Sequence, residues 1–142
     1  MIKFHTISQI EKHDYAFENA TTTADALNGE FGAVTTGAFA PAATASKAIM
    51  QIEVGDDAGL DSYKIPAGTK VRVVDLAKFN GETVEIYGAQ LPATYVVGNK
   101  LQSTATGVLA VVATPTAPYF TITKVIVACG KKVGVEATVV TA

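Results

Sequence analysis

The sequence predicts a mainly β protein: a single-domain antiparallel β-barrel or sandwich with at most one or two short helical turns and an extended N-terminal arm. Three observations carry that reading. Residues 119–127, Tyr-Phe-Thr-Ile-Thr-Lys-Val-Ile-Val, alternate apolar and polar through Ile122 and are rich in the β-branched types that suit a half-buried pleated surface. After a polar break at Gly130, Lys131 and Lys132, Val133, Val135, Ala137 and Val139 share one face while Gly134, Glu136 and Thr138 share the other, as an antiparallel partner strand would. The rest of the chain carries short strand-like runs separated by turn formers, about seven or eight strands in all, with no repeat of fixed period.

A chain of 142 residues fits one domain and can bury a core without metal or disulfide staples. Charged residues make up 17 %, below the roughly 25 % usual in soluble domains. A surface so poor in charge is expected to face partner subunits, or else to be the Thr-rich exterior of an ordinary β domain. The formal net charge of −2 is scattered, so there is no basic field for a phosphate backbone, and nucleic acid is not expected as a ligand. No run reaches the ~18 apolar residues of a membrane span. Met1-Ile2-Lys3-Phe4-His5 lacks the apolar core of a secretion signal, so the expectation is a protein made and kept soluble in a cytoplasm. With Cys129 as the sole cysteine, no disulfide can form within the chain.

Taken in order, residues 1–18 read as an arm. They hold both histidines, the mixed cluster Glu11-Lys12-His13-Asp14, and the apolar residues Ile2, Phe4, Ile7, Ile10, Tyr15 and Phe17, which fit neither a helical nor a strand period throughout. Such an arm, with one short strand at most, either packs back on its own domain or lies on a neighbour. The β-rich domain is assigned to residues 19–142. In it, Thr21-Thr22-Thr23 offers an N-cap to one helical turn at Ala24-Asp25-Ala26-Leu27, closed by Asn28-Gly29; a loop with a tight turn is the other reading. A short strand centred on Phe31 and Val34 comes next, then a surface loop over residues 38–46 whose small residues make it the best candidate for flexibility. Residues 48–54 alternate as a strand, and the acidic stretch 55–63 reads as a loop. Pro66-Ala67-Gly68 turns the chain into a strand at 70–76. Asn80-Gly81 signals a type I′ hairpin, and 82–87 returns with Val84 and Ile86 inward. Residues 92–101 are a link, and 107–113 form another apolar strand. In the strand at 119–127, Lys124 falls in phase with Phe120 and Ile122 and would point inward unless a bulge shifts the register.

Catalytic and metal-binding patterns are weak. His5 and His13, with Asp14, share no helical face and read as exposed arm residues rather than ligands. Asp56, Asp57 and Asp61 lie in one loop, but the twelfth position counted from Asp56 is Ala67 where an EF-hand requires Glu, so a solvated acidic turn is expected. Cys129 has no histidine near it in sequence and reads as a small buried thiol. Gly29 and Gly32 do not have the spacing of a phosphate-cradling loop. The five Tyr and six Phe are dispersed rather than set in a stacking row, and Trp is absent. The residues therefore point to a protein that is not an enzyme, carries no cofactor and works by adhesion.

Five stretches in fixed order carry a resemblance: Ala26-Leu27-Asn28-Gly29-Glu30-Phe31-Gly32-Ala33-Val34, Ile65-Pro66-Ala67-Gly68-Thr69-Lys70-Val71-Arg72-Val73, Tyr95-Val96-Val97-Gly98-Asn99-Lys100-Leu101, Tyr119-Phe120-Thr121-Ile122-Thr123-Lys124-Val125, and Gly134-Val135-Glu136-Ala137-Thr138-Val139-Val140. Together they resemble the small head decoration proteins of tailed bacteriophages, over residues 19–140. Each piece alone is common in β proteins; their order and the chain length carry the likeness. The resemblance implies a virion structural protein, made in the host cytoplasm, that binds the major capsid protein on the capsid exterior, often as a homotrimer, and cements the shell against internal pressure. An extended arm could add a strand or fill a groove on the capsid protein, which makes Ile2, Phe4, Ile7, Ile10, Tyr15 and Phe17 the expected contacts with capsid or a neighbouring subunit. This arm is longer and more charged than strand addition requires, which leaves both partners open. The alternatives are another virion β protein, such as a tail or fibre component, and a small carbohydrate- or surface-binding β module.

Overall fold

A computed structural model describes residues 1–4, 16–50 and 64–142 of the chain. Among these residues the elements are β1 (Ile2–Phe4), β2 (Phe17–Thr22), β3 (Ala26–Leu27), β4 (Phe31–Thr35), β5 (Ala38–Pro41), β6 (Lys47–Ile49), β7 (Lys64–Ile65), β8 (Lys70–Asp75), a single 3-10 turn at Leu76–Phe79, β9 (Thr83–Tyr87), β10 (Lys100–Ser103), β11 (Leu109–Val111), β12 (Tyr119–Ala128) and β13 (Lys131–Val140). The expected mainly β, single-domain architecture is what the structure has. Strands β2-β5-β4-β6-β8 close into a barrel, β1-β9-β13-β12-β10-β11 form a six-stranded sheet, and β3 pairs with β7. All pairings are antiparallel except β2 with β5, where Thr21 lies beside Ala38.

Two apolar clusters arise from strand alternation. Ala20, Phe39, Ile49, Val71 and Val73 turn into the barrel and meet Ala26 and Ile65 of the small pair. Phe31, Ala48 and Val74, on the opposite face of their strands, meet Val84, Ile86, Leu101, Phe120, Ile122, Val135, Ala137 and Val139 of the sheet. A strand in the common wall is therefore covered on both sides, as Val73 and Val74 of β8 show. Phe31 bridges the layers, its ring 5.3 Å from that of Phe120. Each fully buried side chain of this size contributes about 1.5–3 kcal/mol, so this interlayer contact is a main source of stability.

The terminal hairpin resolves the phase of Lys124. A register shift between Ile122 and Lys124 puts Lys124 opposite Glu136, and its ammonium donates to the Glu136 carboxylate at 2.8 Å on the outer surface. That ion pair holds the Lys124 pKa above its ordinary value.

Other expectations are corrected. Residues 21–27 form no helical turn: Ala26 is buried and pairs with Ile65, and the capping side chains serve another segment. Asp25 Oδ1 accepts from Ala67 N–H at 3.0 Å and Thr22 Oγ1 from Thr69 N–H at 3.2 Å, so both fasten the Pro66–Thr69 turn. Residues 38–46 are not one surface loop. The first four are β5, and Ser103 pins the segment after it, its backbone carbonyl accepting from Thr44 N–H and its Oγ from Ala45 N–H. Asn80-Gly81 makes no hairpin. Asn80 has φ −55° and ψ 129°, Gly81 has φ 79°, and Glu82 N–H donates to Phe79 O, the pattern of a type II turn. It sends the chain from the barrel to the sheet, because the preceding turn, capped by Asp75, has already buried Leu76 and Phe79. Two-residue turns with positive φ at both positions, as type I′ needs, occur at Thr36-Gly37 and at Cys129-Gly130 instead. Cys129 is consequently exposed at a hairpin tip rather than buried. The strand expected over 48–54 is described only as far as Met50, and β6 ends at Ile49.

Candidate interaction surface

The six-stranded sheet has two edges, β1 and β11, and they differ in how they are covered. At the first, Ile2 and Phe4 pair with Ile86 and Val84 of β9. Ile2 is only 2 % exposed and belongs to the interlayer core. The half-buried Phe4 packs on Phe79 at 4.7 Å and edge-on against Phe17 at 6.2 Å. The structure thus brings Ile2, Phe4 and Phe17 together against their own domain. Ile7, Ile10 and Tyr15 lie outside the described residues, as do His5, His13, Asp14, Asp56, Asp57 and Asp61.

The second edge borders an open groove with a cavity volume of about 460 Å³. Leu109, Ala110 and Val111 of β11 line it on one side; Pro92, Thr94, Tyr95, Val96 and Asn99 line it on the other. Val96, Val97 and Val111 are 56, 59 and 42 % exposed, three of the four large apolar residues so exposed among the described residues. The fourth, Val127 at 58 %, is near the β12–β13 hairpin tip.

The valines are held on rigid backbone. Gly98, at φ 86°, lets Val96 to Asn99 close a tight turn in which Asn99 N–H donates to Val96 O at 3.1 Å and Asn99 Oδ1 accepts from Val96 N–H at 3.0 Å. Gly98 N–H and Ile122 O, and Ile122 N–H and Asn99 O, tie that turn to β12. Lys132 lies across its start, donating to Tyr95 O at 3.0 Å with its ammonium 5.5 Å from the ring centroid. Turn tips are ordinarily occupied by Gly, Pro, Asn, Asp or Ser. Valines displayed on a pinned turn are better suited to contact than to solvation.

Buried polar groups fasten this edge to the barrel. Gln90 donates from Nε2 to Asn28 O at 2.6 Å, and its Oε1 accepts from the Met1 amine at 2.8 Å. Its backbone carbonyl accepts from Leu109 N–H at 2.7 Å. Glu30 is buried beside Gly107, its carboxylate accepting from Leu27 N–H at 2.9 Å. Burial pushes the Glu30 pKa up, against the opposing pull of that hydrogen bond. These contacts are structural: each polar group closes a turn or joins two layers.

Comparison with protein-family models, with curated proteins and with solved structures finds no match. The β11 groove escaped sequence reasoning because Val96 and Val97 look like any apolar pair in a link. The usable signal is the absence of any charged residue between Lys100 and Lys124.

Proposed function

We propose that this chain is a non-enzymatic structural protein that binds the outer surface of a bacteriophage capsid and stabilises it, acting as a homo-oligomer, by the likeness expected a trimer. The supporting observation is a doubly cored β body with three exposed valines set on pinned backbone beside an open groove. A cementing protein transmits load between subunits, which favours a stiff body whose layers share one core. Exposed apolar groups on stiff backbone bind with little ordering cost. Low charge on the surrounding chain lets faces bury one another under cyclic symmetry. Within this reading, Ile7, Ile10 and Tyr15 belong to the segment that grips shell or neighbour.

The test is sedimentation of the purified protein together with rebinding to shells assembled from the major capsid protein of the virus encoding it. An oligomer that co-sediments with shells and raises their disruption temperature is expected. A stable monomer that stays in the supernatant removes the proposal. Deleting residues 1–18 would be a poor probe of the arm, since Ile2 is part of the core. Substituting Ile7 and Ile10 with Ser asks the same question without removing β1.

A further inference from the structure

We infer that the groove beside β11 receives an extended, uncharged segment of a partner protein, which adds to the six-stranded sheet as a further strand beyond Val111. This rests on the adhesive function proposed above and specifies its mode and chemistry.

The backbone pattern comes first. Val112 N–H donates to Lys100 O and Thr104 N–H to Val108 O, so the even-numbered residues of this stretch face β10. By the alternation of an antiparallel ladder, Leu109 and Val111 turn their peptide groups outward. Leu109 N–H is taken by Gln90 O. Val111, exposed, presents the next N–H and C=O groups on the same edge. An edge left unpaired among the described residues is a template for another strand, and proteins usually blunt it with charge. No Lys, Arg, Asp or Glu stands between Lys100 and Lys124, so this edge has no such guard.

The side chains narrow the occupant. Among the described residues none that lines the groove is charged, and the nearby Lys132 ammonium is already engaged by Tyr95 O and the Tyr95 ring, so the groove favours an uncharged segment. Three exposed valines amount to at most a few hundred Å² of apolar surface, far from the ~800 Å² per partner of a stable dimer. A second copy docked face to face through this patch would be underburied. An extended segment needs less, because main-chain hydrogen bonds supply affinity while alternate side chains enter the groove. Small or β-branched residues at alternate positions fit beside Pro92, Val96 and Val111.

The probe is the blocked peptide acetyl-Thr-Val-Thr-Val-Thr-amide, titrated into the full chain while backbone amide exchange is followed by NMR. At saturation, exchange at Val111 should slow at least tenfold. Val96→Asp, in the groove wall, should weaken binding at least tenfold, while Val127→Asp, a similarly exposed valine outside the groove, should leave it unchanged. Unaltered exchange, or equal binding by Val96→Asp, overturns the inference. So does a Val111 amide already protected without peptide: if dilution abolishes that protection a second copy is the occupant, and if it persists the chain covers its own edge. Shell rebinding separates the two claims. Peptide capture with no shell binding keeps the groove and removes the capsid reading. Shells bound equally by the parent chain and Val96→Asp, with no peptide capture, do the opposite.

Discussion

The two edges of the six-stranded sheet are both three-residue strands of apolar character, yet one is consumed by the fold and the other is displayed. Strand β1 sends Ile2 into the core, leans Phe4 on Phe17 and Phe79, and sets Lys3 over the Tyr87 ring at 5.3 Å. Strand β11 buries Leu109 but leaves Val111 in solvent beside Val96 and Val97. Hydropathy points the wrong way, for covered β1 carries Lys3 while displayed β11 is Leu109-Ala110-Val111; it reports how much an apolar group gains from leaving water and not which surface removes it. What differs is the supply of partners. The first edge has the aromatic side chains of β2 and the 3-10 turn to pack against, and the second has only a groove.

The sharpest way to break this contrast is to truncate one apolar side chain at each edge. Ile2→Ala leaves a cavity between sheet and barrel and should cost about 2–5 kcal/mol of unfolding free energy, read from urea denaturation. Val111→Ala should stay within about 0.5 kcal/mol, as exposed substitutions do. Equal losses at both positions would mean that the β11 edge is covered after all.

A second substitution asks whether the displayed edge is firm. Gly107, at φ 77°, closes the β10–β11 connection, and its carbonyl accepts from Phe31 N–H at 2.8 Å. A Cβ there would stand 2.5 Å from Glu30 Cγ and 2.7 Å from Phe31 O, contacts that force backbone or a buried carboxylate to move. Gly107→Ala should therefore destabilise by about 1–3 kcal/mol, from strain at positive φ and from crowding. A neutral result would show that the edge yields, which would weaken its use as a template.

Glu30, packed against that glycine, gives a smaller and pH-dependent effect. Its folded pKa is raised by burial, so the folded chain takes up a proton before the unfolded chain does as pH falls. Its contribution is most favourable below the ordinary value of 4.5 and is lost as pH rises through the higher folded value. Glu30→Gln keeps an acceptor for Leu27 N–H and removes the buried charge. The variant should have the higher urea midpoint at neutral pH, with the difference closing in acid. A constant difference across pH would assign the effect to packing instead.

Much of this fold is legible in the sequence where alternation runs unbroken. The β12–β13 pair and the inward Val84 and Ile86 come from period-two patterning, whereas at Lys124 the pattern shows only a break in phase, and the structure makes it a bulge. Local turn chemistry is legible as a turn but not as a connection: Asn80-Gly81 does turn, yet the strands it joins lie in different layers. The capping residue Thr22, and Asp25 in the turn expected after it, misled because a side-chain oxygen accepts from any N–H within reach, and theirs lay more than forty residues along the chain. The groove was illegible for a further reason. Val96, Pro92 and Val111 become neighbours only when Gln90 and Gly98 have fixed the link against β11 and β12.

The finest probe of the covered edge is Tyr87, whose N–H donates to Met1 O and whose ring lies under Lys3. Burial and then the hydrogen bond to Glu85, at 2.6 Å, with the negative charge of Glu85 and Glu136, push its phenol up to about 12 from 10. The raised value means that the folded state favours the neutral phenol. Its stabilising effect is whole below pH 10 and disappears as pH climbs through about 12. In an absorbance titration at alkaline pH, one phenol should ionise about 2 pH units after an ordinary tyrosine, and Tyr87→Phe should delete that step alone. Glu85→Gln should lower the step without abolishing it, because desolvation is the larger cause and stays while β1 is in place. If the step in the intact chain instead falls short of about 12, leaving only the rise that Glu85 and Glu136 supply, β1 does not cover this edge in solution, and the two ends of the sheet are more alike than their side chains suggest.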